Sequence, residues 1–258
     1  GEAYRSLRLY EQAERAHDIA YETRRDALGE THPDTIDSLT RLASSILRQG
    51  RIAEAEPLRE RLVELSRSAY GDEHPQTSTA IHNLGFLRME QSRFDDAEEK
   101  LMRAYELRLE HLGETHEYTV QSIDTIGGLW MNAGQPARAE RWFARALDLR
   151  RQTHRADDLA TINTLNNLGW VHGEMGRHDD AAREFEEAIE LTGGRYGDDH
   201  PTILDYRDNL ARAYEQLGRV EDAEAIYEDN LARRVHVHGE DHPETAKARL
   251  ARATLWDR

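Results

Sequence analysis

Apolar residues at Ile36, Leu39, Leu42, Ala43, Ile46 and Leu47 follow the three- and four-residue steps that lay one stripe along an α-helix. Gly50-Arg51 interrupts this pattern, and a second stripe follows at Ala55, Leu58, Leu62 and Leu65, a spacing that buries a single face. The same predicted helix pair returns along the chain, with its turn at Ser92-Arg93, Gly134-Gln135, Gly176-Arg177 and Gly218-Arg219. A buried leucine contributes about 1.5–3 kcal/mol, and one pair holds too few to offset the ordering of its own backbone. Pairs stacked on pairs must supply the remainder.

The joints between pairs carry their own pattern. GETHPDT at Gly29–Thr35 reappears as GDEHPQT from Gly71, GETHEYT from Gly113, GDDHPTI from Gly197 and GEDHPET from Gly239. The step is 42 residues or twice that, and the decayed copy at Arg155–Thr161 keeps only its final threonine. A fixed period of this length predicts a solenoid of stacked supersecondary units. Within each joint, glycine suits the left-handed end of one helix, proline suits the first turn of the next, and the histidine before it is pushed out of the helical region. The histidines are read as helix-start punctuation on successive layers and not as a metal centre. The period divides the chain into a truncated repeat at 1–28, full repeats at 29–70, 71–112, 113–154, 155–196 and 197–238, and a half repeat at 239–258. Both ends are expected to be cut from a longer protein.

Two columns of small residues set how closely helices approach: Ala43, Gly85, Gly127, Gly169 and Ala211 in the first helices, and Ala55, Ala97, Ala139, Ala181 and Ala223 in the second. A column of large residues follows at Leu101, Phe143, Phe185 and Tyr227, with Arg59 breaking the rule. This alternation resembles the tetratricopeptide repeat, and the longer period with its GxxHPxT joint is similar to the kinesin light chain variety. Asn83–His116 and Asn209–Arg234 carry the resemblance best, and it covers essentially the whole chain. It implies an all-α, right-handed solenoid of stacked antiparallel helix pairs whose concave face is lined by the first helices. Two departures stand out: Glu117 replaces proline in one joint, and Gly193-Gly194 falls in the last turn of a second helix. Two glycines there cost about 2 kcal/mol of helix propensity relative to alanine, so early termination or fraying is expected at that point, where the array could also bend.

Composition narrows the function. With 34 basic against 50 acidic residues the formal charge is −16, which lacks the positive footprint that nucleic-acid binding needs. No apolar run approaches a membrane span, and no signal peptide opens the chain. Cysteine is absent, which removes thiolate metal sites. All basic residues except Lys100 and Lys247 are arginine, which suggests a GC-rich, bacterial source. A cytoplasmic location is expected. No phosphate loop, nucleophile elbow or metal-binding His-Glu spacing is present, so no catalytic, cofactor or metal residues are assigned.

The resemblance places a partner peptide on the concave face. The column one residue before each Leu-Gly or Leu-Ala pair is Arg41, Asn83, Thr125, Asn167 and Asn209. A primary amide can pair with a peptide main chain without reading its sequence, as asparagines do in relatives of this type; the alternative is that these amides bond the neighbouring repeat. Nearby columns are Asp37, Thr79, Gln121, Asn163 and Asp205, then Thr40, His82, Asp124, Asn166 and Asp208. The next turn offers Ser44, Phe86, Gly128, Trp170 and Arg212, then Arg48, Glu90, Asn132, Glu174 and Gln216, where acids outnumber bases. The candidate peptide-binding set is Arg41, Asn83, Phe86, Asn163, Asn167, Trp170, Asn209 and Arg212, with Phe86 and Trp170 as anchors unless they are buried against the second helices. Neither the basic clamp of chaperone-binding relatives nor the basic residues by which kinesin light chain grooves read tryptophan–acidic motifs is recognisable, so a neutral or basic partner segment is expected. The function read from the sequence is a protein-binding arm of a larger protein. Its rivals are a regulatory sensor that bends at Gly193-Gly194 and a spacer or self-association module.

Overall fold

The computed structural model describes residues 2–153 and 158–256, with the side chains of 9–153 and 158–253. The chain falls into two compact units, Gly1–Ala133 and Gly134–Arg258. The first holds α1 (Glu2–Leu28), α2 (Pro33–Leu47), α3 (Ile52–Tyr70), α4 (Pro75–Glu90), α5 (Phe94–Leu112) and α6 (Glu117–Asn132). The second holds α7 (Pro136–Gln152), α8 (Leu159–Glu174), α9 (His178–Tyr196), α10 (Pro201–Gln216), α11 (Val220–His238) and α12 (Pro243–Trp256). Within each unit every helix packs on the next in sequence; α4 also reaches α6 and α8 reaches α10. No strand occurs among the described residues. The architecture is the all-α stack of helix pairs that the 42-residue period predicts.

Each residue of the joint has a structural task. Gly71 takes φ 95° where α3 ends, a conformation that only glycine adopts without strain. The histidine ring then caps the next helix: Nδ1 of His32, His74, His116 and His200 accepts from the backbone N–H of Asp34, Gln76, Tyr118 and Thr202, satisfying one of the orphan donors of the first turn. The threonine closes the loop, since Thr77 Oγ1 donates to the Gly71 carbonyl at 2.7 Å and Thr245 Oγ1 to that of Gly239 at 2.8 Å. Glu117 in place of proline leaves the joint unchanged, with α6 starting on the same His116 cap. In the decayed copy Asp158 stands at the N-cap of α8 without a side-chain bond; Arg155, Ala156 and Asp157 lie outside the described residues.

The turns inside the pairs explain their arginines. Arg51, Arg93 and Arg177 reach back to Glu14, Glu56 and Glu140 at 2.6, 3.1 and 2.5 Å, each 37 residues earlier. These half-exposed pairs contribute little individually, yet they tie one pair to the next at a fixed place. Ser92 holds φ 58° at the point where other turns use glycine. α1 differs from the other helices: it runs unbroken through Arg8-Leu9, five periods before Gly218-Arg219, where no glycine is present to turn it.

The small columns are buried and tightly covered. A Cβ at Gly85 would lie 2.8 Å from Leu101 Cγ, and one at Gly169 would lie 2.5 Å from the Phe185 ring. Arg59, the exception in the large column, is only 6% exposed. Its Nη2 donates to Ser44 Oγ at 2.9 Å, and burial pushes its pKa down to about 10.

One expectation is overturned. α9 is continuous from His178 to Tyr196 and passes through Gly193-Gly194 without a break, so the helix does not terminate early there. Tertiary packing outweighs the propensity penalty: Thr192 is fully buried with its hydroxyl on the Ala188 carbonyl at 2.6 Å. Gly193 also makes room for the next joint, because a Cβ there would stand 3.1 Å from Asp198 Oδ1. The helix ends where the next joint begins, at Gly197 with φ 82°.

Candidate functional site

In the second unit, α8, α9 and α10 enclose a cleft of about 260 Å³. Its floor is apolar. Gly169 and Gly173 of α8 form one side, Ala181 and Phe185 of α9 the bottom, and Ala213 of α10 the other side. Gly169 is required there, since the Phe185 ring occupies the place of its Cβ. Gly173 is not held by any such contact: a Cβ there would meet nothing within 4 Å.

The rims are polar. α8 contributes Trp170 and Glu174, α10 contributes Asn209, Arg212 and Gln216, and His178 closes one end. The Arg212 guanidinium lies 6.0 Å from the centre of the Trp170 ring, a cation–π contact of about 0.5–1 kcal/mol at an exposed position. The rim helix is itself secured from below, where the Tyr227 hydroxyl donates to Glu215 at 2.6 Å and that of Tyr214 to Glu186 at 2.5 Å.

Of the residues singled out from the sequence, Trp170, Asn209 and Arg212 converge on this cleft. Trp170 is 39% exposed and Phe86 43% exposed, so neither is buried against the second helices. Asn209 Nδ2 donates to Asn166 Oδ1 at 2.9 Å, and Asn163 Oδ1 accepts from the Tyr206 hydroxyl at 2.8 Å; both amides bond the neighbouring helix pair. Asn167, half-buried on α8, has no hydrogen-bond partner among the described residues. Asn83 and Phe86 stand on α4 in the first unit, where Asn83 likewise has no partner among the described residues. Arg41 pairs with Asp37 on its own helix at 2.8 Å.

His82 belongs to the core and not to a ligand-facing column. It is buried, with Nε2 3.4 Å from the Thr125 hydroxyl. Burial, aided by the Arg108 guanidinium, pushes its pKa down to about 3. The folded chain therefore keeps the ring neutral where the unfolded chain takes up a proton, and the unfolded state binds more protons below pH 6.5. The His82 contribution to stability is complete above about pH 6.5 and is lost as pH falls toward 3. At pH 5 the loss amounts to about 2 kcal/mol. Thermal unfolding of the first unit is expected to fall between pH 7 and 5, and His82→Gln to flatten that slope. An unchanged slope in the variant would contradict the assignment.

Sequence reasoning missed a column of buried and half-buried arginines at Arg24, Arg108, Arg150 and Arg234, which the 42-residue step marks apart from Ser66 and Thr192. Arg24, Arg108 and Arg150 each donate to a hydroxyl fourteen residues on, Ser38 at 2.7 Å, Ser122 at 2.8 Å and Thr164 at 2.7 Å. Burial lowers the Arg108 pKa to about 10. Arg234 continues the column with acids: Asp205 at 2.9 Å, Asp208 at 2.7 Å and Glu244 at 3.2 Å. Burial raises the Asp208 pKa against the pull of Arg234 and the Asn230 amide. Nearby, His172 Nδ1 lies 2.6 Å from Glu184 and Nε2 3.4 Å from Glu140, and burial raises the Glu184 pKa. Gly173 was missed as well; its signal was the loss of a large residue from a column that holds Leu47, Met89 and Met131.

Among the described residues no group of three or more His, Cys, Asp or Glu side chains could hold a metal ion, and no helix is long and apolar enough to cross a membrane. A family model described as tetratricopeptide repeat matches residues 38–110 and 118–193, and a second model of the same description matches 1–34 and 203–244. The fold is similar to that of BtubC (BKLC) from P. vanneervenii, with a TM-score of 0.77 and 20% identity over 91% of this chain and 94% of that one. A putative kinesin light chain from Podosopora anserina, described as having nearly identical TPR-like repeats, gives a TM-score of 0.70 at 21% identity over 80% of this chain and 98% of that one. The apo form of RapI gives 0.72 at 14% identity over 97% and 69%. At such identities the likeness is one of fold. No curated protein matches the chain in sequence.

Proposed function

The chain belongs to the tetratricopeptide repeat family, and on that premise we propose that it is a protein-binding scaffold whose α8–α10 cleft anchors a segment of a partner protein. The observation that carries this reading is an open apolar cleft between α8, α9 and α10, bordered by a guanidinium and a carboxylate that do not pair with each other. At about 260 Å³ the cleft is smaller than the roughly 300–1,000 Å³ of pockets that enclose small ligands. It suits one side chain of a larger partner. Trp170 and Arg212, half-exposed and in contact, are the residue types that most often carry binding energy at such places. Asn167 supplies a free amide on the same helix for a partner main chain.

The test is affinity capture of partners from the source organism with the parent chain beside a Trp170→Ser/Arg212→Ala variant of matched thermal stability. Both side chains are exposed, so the variant is expected to fold as the parent does. A partner held by the parent and weakened at least tenfold by the variant supports the cleft. Equal retention would move binding to another face, and capture of nothing by either chain would favour a spacer.

A further inference from the structure

Gly173 lies in the last turn of α8, one residue before the helix ends at Glu174, and no packing requires a glycine there. A Cβ at that position would meet nothing within 4 Å. Its φ is not positive, so the backbone does not call for glycine either. At the same point of three earlier repeats stand Leu47, Met89 and Met131; Met89 is buried and Leu47 packs against the core of the first unit. A large side chain is therefore the ordinary occupant of this position. Its removal at Gly173 leaves the space above Ala181 and Phe185 open.

The rims are unusual in the same way. Arg177, Arg207, Arg219, Arg233 and Arg234 of the second unit each meet a carboxylate. Arg212 and Glu174 have no hydrogen-bond or ion-pair partner among the described residues. One is on α10 and the other on α8, so they border the cleft with opposite charges.

We infer that Gly173 is a specificity-determining residue that cuts the cleft to the depth of one bulky apolar side chain. The occupant is a partner segment carrying a residue of the leucine or tryptophan class, with an anionic neighbour toward Arg212 and a cationic neighbour toward Glu174. The segment is close to neutral overall, which fits a rim of one charge of each sign. This inference rests on the scaffold reading above and adds the chemistry of the ligand. The partner's side chain replaces the missing one: it supplies the apolar contacts that Leu47 and Met89 make from within their own repeats.

The probes are acetylated, glycine-spaced peptides carrying aspartate, a central tryptophan, leucine or alanine, and lysine, titrated into the full chain and followed by amide NMR. The tryptophan and leucine peptides are expected to shift the Gly173 and Trp170 amides, and the alanine peptide to bind at least tenfold more weakly. Replacing both charged residues of the peptide by serine should weaken binding and remove its salt dependence. Gly173→Met, which copies Met89 and Met131, should lose at least tenfold in affinity while melting no lower than the parent. Gly173→Ala should melt higher and lose only a few-fold. Equal affinity in Gly173→Met and the parent would overturn the inference, as would a parent chain that binds none of the peptides at their solubility limit. A captured partner lost by Trp170→Ser/Arg212→Ala but kept by Gly173→Met would sink the depth argument and leave the scaffold reading standing. A partner kept by both variants would remove the cleft from the scaffold reading altogether.

Discussion

Replacing Arg234 with alanine is expected to destabilise the second unit by about 3–5 kcal/mol, the usual cost of removing one member of a buried ion pair. Arg234 is buried between α10 and α12 and donates to Asp205, Asp208 and Glu244. Without it, Asp208 keeps the Asn230 amide at 2.5 Å and the weaker attraction of Arg212 against a desolvation that already raises its pKa. The carboxyl then responds by holding its proton. The folded variant binds a proton that the unfolded chain releases, so its stability falls as pH rises through the carboxylate range. The loss should accordingly be larger at pH 8 than at pH 5. Arg234→Met/Asp208→Leu should recover much of it, because an apolar pair of similar volume leaves no stranded charge at position 208. Denaturation midpoints with amide exchange in α10 and α11 measure this. A cost below about 1 kcal/mol, the same at both pH values, would show that the network is solvated.

The second large effect is predicted at the floor of the cleft. Phe185→Ala removes a buried ring and should cost about 3–5 kcal/mol, the range for emptying an aromatic core position. Phe185→Leu should cost about 1 kcal/mol, because a volume-adjusted apolar swap is tolerated and Leu101 fills the same column against Gly85. The two variants separate packing from binding. The leucine variant, nearly as stable as the parent, changes only the shape of the floor beneath Gly173. Should the alanine variant melt with the parent, the ring would not be holding α8 to α9.

Much of this molecule is legible in one dimension because a 42-residue period repeats the same contacts. The columns that hold Gly85 and Gly169, and those that hold Leu101 and Phe185, are visible from spacing alone, while the structure adds which faces which. The joint histidines read as helix starts, and the structure adds only the atom, Nδ1, that makes the cap. Three of the eight candidate residues meet in one cleft. The others could not be sorted from sequence, because an amide that holds a stack and one that holds a peptide occupy the same column. Asn209 is bonded to Asn166 while Asn167, on the same face of the preceding first helix, is free.

The sequence by itself determined the order of the helices from α2 onward, their joints and their buried columns, because propensity, capping and apolar period are local and agree with one another. Tertiary structure alone decided three things. It carried α9 through Gly193-Gly194, since burial of Thr192 outweighs the local preference of two glycines. It placed His82 in the core and Trp170 at the surface, although both lie on first helices at neighbouring points of the repeat. It also showed that Gly169 is filled from across the stack by Phe185 whereas Gly173 is not filled at all. The physical reason is common to all three: the free energy of a residue in the stack depends on what the adjoining layer places against it, and that neighbour is one period away in sequence.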